Sequence, residues 1–194
     1  MSTMQLLGIQ TGTARKALIG GRSVLTAIRK TAVTGPVAVK PLGLEGDEQA
    51  DLSVHGGLEK AVYAYPSEHY GFWQAQRRAA GLADIDAELP FGSMGENLSL
   101  AGLLEADVWV GDVLQFAQCA LRVEQPREPC FKFNAAMGFS AAVKAMAQSG
   151  FCGFYLSVVE PGTLTVGEQF ALHQGPRRIS INERFNAKMF KHMR

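Results

Sequence analysis

The sequence has almost no imbalance of charge. Its 194 residues carry 19 Lys and Arg against 18 Asp and Glu, a formal net charge of +1. That balance gives no bulk attraction to a nucleic acid polymer or an anionic membrane. No apolar run is long enough to span a bilayer. Met1 to Gln5 lacks a basic stretch ahead of an apolar core, so no secretory signal is read. Cysteine is scarce: Cys119, Cys130 and Cys152 are odd in number and widely spaced, with no CxxC pair. This argues against a disulfide framework and for a reducing, cytoplasmic setting. There is no strand–GxGxxG–helix unit, no Walker loop, no zinc spacing and no EF-hand. Nothing marks a flavin, haem or iron–sulfur site.

What is present is ordinary for a globular protein: 47% apolar residues, 19% charged, and 21 glycines for turns. The length suits one domain with a sizeable core. Gln5 to Gln10 reads as a first strand, and Ala17 to Ile19 as a second, in a hairpin with it. Pro36 to Val39, Ala61 to Tyr65, Glu96 to Leu100, Val108 to Val110, Val113 to Phe116 and Ala120 to Val123 read as further strands. Phe154 to Val159, Thr163 to Val166 and Gln169 to Leu172 complete the set. Glu160-Pro161-Gly162-Thr163 suits a type II turn. Ser67 is placed to cap a helix through Arg78, and Asn134 a helix through Gln148 that ends at Gly150. Many short strands with two good helices predict a mainly β protein with α elements, a barrel or sandwich rather than a βαβ sheet.

From Arg177 to Arg194 there are six Lys or Arg and one acid. Ser180-Ile181-Asn182-Glu183 matches a capping box, and Ile181, Phe185 and Met189 then share a helical face. This apolar stripe predicts docking on the barrel or on another subunit, the second giving a homodimer.

Three stretches carry chemistry. Gln125-Pro126-Arg127-Glu128-Pro129-Cys130-Phe131-Lys132 is the first. Each proline stiffens it and pushes the preceding residue toward extended geometry. Cys130 lies beside Arg127 and Lys132, and nearby cations stabilise a thiolate. Against this stands the usual fate of a free cysteine, burial as a small inert hydrophobe, which suits Cys119 and Cys152. The second stretch runs from Leu44 to Lys60. Its acids Glu45, Asp47 and Asp51 read as a solvated loop or as acceptors for loop backbone. His55-Gly56-Gly57 with Lys60 reads either as a tight turn or as backbone that cradles an oxyanion. The third, Gly92-Ser93-Met94-Gly95-Glu96-Asn97-Leu98, reads either as a loop-to-strand corner or as a second nest of N–H groups.

Together these stretches resemble the MOSC domain, the module at the C-terminus of molybdenum-cofactor sulfurases, and within it the stand-alone bacterial YiiM-type branch. The resemblance rests on Gly46-Asp47, Gln49-Ala50-Asp51, His55-Gly56-Gly57, Lys60-Ala61-Val62, Tyr65-Pro66, Gly95-Glu96-Asn97-Leu98, Gly111-Asp112, Gln125-Pro126-Arg127 and Pro129-Cys130. It implies a MOSC-type β-barrel with peripheral helices over residues 1–176, followed by a helical tail over 177–194. In that branch a three-helix appendage follows the barrel; here the tail reads as the first of those helices.

The resemblance also implies a bound molybdenum cofactor (molybdopterin), with Cys130 as the expected metal ligand and catalytic residue. His55, Gly56, Gly57, Lys60 and Arg127 are the candidates for the cofactor's phosphate, and Gly95, Glu96 and Asn97 for its pterin. The implied reaction reduces a small-molecule N-hydroxylated compound, such as a hydroxylaminopurine base, to an amine, with electrons from a partner reductase. A sulfur carrier with a persulfide on Cys130, or a module that binds or delivers the cofactor without turnover, are the alternatives.

Overall fold

The structure is a computed structural model that describes residues 3–50, 56–82 and 88–192. In chain order the elements are β1 (Gln5–Thr11), β2 (Arg15–Ile19), β3 (Arg22–Thr26), β4 (Thr31–Ala32), β5 (Val37–Lys40), β6 (Gly43–Leu44) and β7 (Val62–Pro66). Then come α1 (Tyr70–Ala79), β8 (Leu98–Ala101), β9 (Val113–Gln115), β10 (Ala120–Pro126), α2 (Phe131–Met137) and α3 (Ala142–Ser149). The chain continues with β11 (Phe154–Glu160), β12 (Gly162–Leu164), β13 (Ala171–His173) and α4 (Ile181–His192). The protein is mainly β with α, as its strand-rich pattern predicts.

The main sheet has eight strands in the order β13-β9-β10-β11-β7-β8-β1-β4. β7 and β8 pair in parallel, and their neighbours pair antiparallel. The sheet curls back on itself. Just before β13, Gly167 N–H donates to Leu6 O at 2.8 Å, Leu6 N–H to Glu168 O at 2.9 Å and Phe170 N–H to Met4 O at 3.2 Å. β1 is thereby tied to the chain entering the opposite end of the sheet. β5, β6 and β12 form a small second sheet, and among the described residues β2 pairs with β3 alone.

β7 lies at the centre, and all five of its residues are buried. Its aromatic and β-branched side chains suit a strand covered on both faces. α1 buries Trp73, whose ring meets Phe133 of α2 edge-on with centroids 5.2 Å apart. That contact seats the start of α2, and with it Cys130, on the core.

Several local expectations change. The hairpin forms between β2 and β3 across Gly20-Gly21, and β1 pairs with β8 and β4 instead. Ser67 opens a short 3-10 turn ahead of α1 and makes no side-chain cap. The helix expected from Asn134 to Gln148 is two helices. Gly138 turns left-handed (φ 81°) and ends α2, and Asn134 Oδ1 then accepts the N–H of Val143 at 2.8 Å, inside α3. Gly150 closes α3 in the left-handed region, as expected. Around Trp109 there is a single bridge to Ser180 rather than a strand.

Pro161-Gly162 does not make a type II turn either. β11 pairs with β10 and β7, while β12 pairs with β5. Gly162 does not have a positive φ. It is needed for close approach, since a Cβ there would stand 1.8 Å from Gln118 O.

The tail behaves as its pattern predicts. Ser180 N–H donates to Glu183 Oε2 at 2.8 Å and Glu183 N–H to Ser180 Oγ at 3.1 Å, a complete capping box. Ile181 and Phe185 are fully buried, and Met189 packs against the core. Arg184 Nη1 donates to Glu124 O of β10 at 3.0 Å. The stripe docks on the body of its own chain.

Candidate functional site

β10 delivers the proline loop. Pro126 ends the strand opposite Phe154 of β11, and Cys130 is the extended residue that precedes α2. Between them Arg127 turns inward and is 6% exposed. Its Nη1 donates to Met94 O at 2.7 Å and to the Tyr63 hydroxyl at 3.4 Å. The guanidinium also lies 4.8 Å from the Phe133 ring centroid and 5.0 Å from that of Tyr63. Burial works against its charge, but the guanidinium keeps its proton. Arg127 is therefore a fixed cation. Among the described residues no carboxylate pairs with it.

Cys130 is half-buried and opens onto a cleft that Arg127 also lines. Lys30, Lys60 and Lys132 bring further cations to its walls, against Asp47, Glu48 and Glu128. Tyr63 and Tyr155 line the floor. Burial raises both hydroxyls, so they stay protonated. Lys60 Nζ sits 5.8 Å from the Tyr155 ring centroid, and Lys132 Nζ donates to Leu25 O at 3.0 Å. Arg127, Lys60 and Cys130 are thus gathered in one cleft, as the sequence suggests.

The two glycine stretches are more committed to the fold. His55 lies outside the described residues. Gly57 N–H donates to Gln49 Oε1 at 2.8 Å, and Gln49 Nε2 donates to Leu42 O at 2.9 Å. Gly56 and Gly57 do not line the cleft, whereas Gln49 and Lys60 do. In the third stretch the turn N–H groups point at an anion that the chain itself supplies. Glu96, fully buried, accepts from Gly92 N–H at 2.7 Å, Met94 N–H at 3.0 Å, Ser99 Oγ at 3.0 Å and the Tyr70 hydroxyl. Burial pushes its carboxyl up against the pull of those donors. Asn97, just before β8, bridges two strands: its Oδ1 accepts Tyr63 N–H of β7 at 3.0 Å and its Nδ2 donates to Gln10 O of β1 at 3.1 Å. Gly95 and Asn97 reach the cleft, but Glu96 does not.

Three cleft residues escape sequence reasoning. Tyr63 and Tyr155 are alternate positions of ordinary strands, and only the pairing of Tyr155 with Tyr63 brings them together. Lys30 forms a buried ion pair with Asp47, whose Oδ1 also accepts Gly12 N–H at 2.8 Å. Burial lowers the Lys30 proton affinity, with Asp47 opposing it. The one readable half of that pair is Asp47, which bonds loop backbone as an acid in such a loop would.

The donor set suits a carried-in metal group. Among the described residues no three His, Cys, Asp or Glu are arranged to hold a bare metal ion. A metal here would take one soft sulfur from Cys130 and its other ligands from the group that brings it. The buried cation Arg127, with Lys60 nearby, suits an anionic substituent such as a phosphate. Among the described residues no helix is long and apolar enough to cross a membrane.

The model of the MOSC domain matches residues 51–171. The protein YiiM of Escherichia coli is 36% identical over 158 residues, which is 81% of this chain and 68% of that one. A protein named "Reductase" from Gibberella moniliformis is 33% identical over 173 residues, 88% of this chain but 29% of that longer protein. The crystal structure of YiiM from Geobacillus stearothermophilus superposes with a TM-score of 0.77 at 31% identity, covering 98% of this chain and 86% of that one. A matched family model over most of the chain, relatives above 30% identity and a shared fold lead to one conclusion: the chain belongs to the MOSC domain family, a family associated with the molybdenum cofactor.

Proposed function

We propose that this protein binds the molybdenum cofactor in the Cys130 cleft and reduces N-hydroxylated compounds to amines. The observation that carries the reading is the pairing of a half-buried thiol with a buried guanidinium that has no carboxylate partner among the described residues. An uncompensated buried cation is costly unless a ligand supplies the counter-charge. The reaction class agrees with the name of one relative, matched over 29% of its own length.

In this reading Cys130 supplies the protein's sulfur to the metal. Arg127 and Lys60 hold the cofactor's phosphate, with Gly95 and Asn97 as the wall against its pterin. The bound cofactor supplies the redox chemistry at the N–O bond. Tyr63 and Tyr155 keep their protons and offer neutral hydroxyls to the cleft, fixing Arg127 and orienting polar groups of the substrate. The N–O bond breaks, the nitrogen leaves as an amine and the oxygen as water. Two electrons come from a separate reductase and two protons from solvent.

The test uses protein purified from a host that makes molybdopterin, supplied with reduced methyl viologen and a panel of N-hydroxylated compounds. Wild-type protein is expected to form amine, and Cys130→Ser to form none. Absence of amine from the whole panel with cofactor-loaded wild-type protein would overturn the reading.

A further inference from the structure

The reductase reading leaves electron entry unassigned, and the N-terminal hairpin is the surface the fold leaves unused. Residues 1–44 hold six Lys or Arg and no Asp or Glu. Of these, Arg15, Lys16, Arg22 and Arg29 are exposed, and none takes part in an ion pair among the described residues. A groove at the base of the β2–β3 hairpin is lined by Arg15, Lys16, Leu18, Arg29 and Lys30, and no described carboxylate lines it. Arg15 Nε donates to Thr13 Oγ1 at 3.1 Å, which leaves its charge unneutralised.

The hairpin stands apart from the main sheet. A two-stranded hairpin is marginal in water by itself, so this one gains from a surface that covers it. Lys16 pairs with Leu25 and Leu18 with Ser23, which puts these four residues on one face. Leu18 is 79% exposed and Leu25 47%. On that face the two leucines lie beside Lys16, while Arg15 and Arg22 fall on the other face by alternation; Arg15, Lys16 and Arg29 meet along the groove at the edge of the hairpin. An apolar centre rimmed by cations is the anatomy of a protein-docking patch. The patch also adjoins the site. Leu25 O accepts Lys132 Nζ from the Cys130 loop, and Thr26 and Lys30 line both the groove and the cleft.

We propose that this hairpin face docks an acidic electron-donor protein and brings its redox group to the rim of the Cys130 cleft. The proposal rests on the reductase reading. The cationic face steers an acidic partner toward the cleft, and the two leucines seat it. With two leucines and no aromatic ring, the hairpin presents a shallow apolar patch suited to a protein surface rather than to insertion into lipid.

The test titrates flavodoxin, an acidic electron-transfer protein, against cofactor-loaded wild-type protein and the triple variant Arg15→Glu, Lys16→Glu, Arg29→Glu. Wild-type binding is expected to weaken as salt rises. The variant's affinity is expected to fall by about tenfold or more, while turnover with reduced methyl viologen is unchanged. Equal affinity in the two proteins overturns the proposal. So does the absence of flavodoxin binding to wild-type protein, or binding to anionic lipid vesicles or DNA in its place. If wild-type protein binds flavodoxin with the expected charge dependence but gives no turnover with methyl viologen, the reductase reading falls and the docking face stands.

Discussion

The carboxylate of Glu96 accepts the N–H of Gly92 at 2.7 Å, and so fills from within the turn that the sequence offers as an anion nest. It also takes Met94 N–H, Ser99 Oγ and the Tyr70 hydroxyl. Glu96→Gln replaces one acceptor oxygen with a donor that faces other donors. The expected loss is about 1–3 kcal/mol, read as a lower denaturant midpoint with an unchanged m-value. An unchanged midpoint would show that the turn does not depend on this carboxylate.

Arg127 gives the opposite expectation. Its partners are a carbonyl, a hydroxyl and two aromatic rings. Replacing a buried charge with an apolar side chain of similar volume is often close to neutral. Arg127→Met should leave cofactor-free stability within about 2 kcal/mol of wild type. Its cofactor content should fall by roughly tenfold or more, as expected for loss of a charge-assisted phosphate contact. A large loss of stability with normal cofactor content would assign Arg127 to the fold alone.

The capping box of α4 sets a pH dependence. The backbone N–H and hydroxyl of Ser180 hold the Glu183 carboxyl below its ordinary 4.5. With the folded value depressed, the unfolded chain binds the proton more tightly. The box therefore contributes fully above about pH 4.5 and loses its contribution as pH falls through the folded value. Glu183→Gln should lower the melting temperature at neutral pH and flatten its decline below that point. Ser180→Ala should cost about 1 kcal/mol at neutral pH. Parallel melting curves for Glu183→Gln and wild type across the acid range would contradict this account.

Gly162 serves the fold through space rather than through φ. A methyl group there would meet Gln118 O at 1.8 Å. Gly162→Ala should therefore cost about 1–3 kcal/mol by overpacking, measured by chemical denaturation. A neutral effect would mean that β12 moves away freely.

Local chemistry in this chain is readable where one residue decides it. The prolines at 126 and 129 announce a stiff loop before Cys130, the Ser180–Glu183 pair announces α4, and Gly150 announces the end of α3. What pairing decides is not readable. Pro161-Gly162 has turn chemistry, yet β12 leaves β11 and pairs with β5, 120 or so residues back in the chain. Tyr155 enters the cleft only because β11 aligns it with Tyr63 of β7. Lys30 carries no local mark of its place, since Asp47, 17 positions on, puts it there. Glycine-rich turns mislead for a related reason. A nest of N–H groups looks the same in sequence whether a ligand fills it or, as at Gly92, a side chain of the same protein does.

In the proposed function Cys130 holds the metal of a cofactor whose anionic part Arg127 receives. The most direct measurement is metal analysis of wild-type protein and Cys130→Ser, both purified from a molybdopterin-competent host, with folding checked by circular dichroism. The expected result is stoichiometric molybdenum in the wild type and little in the folded variant. Unchanged molybdenum in Cys130→Ser would contradict the ligand role. Molybdenum absent from both, with labile sulfur on Cys130 of the wild type, would replace the account with one of sulfur transfer.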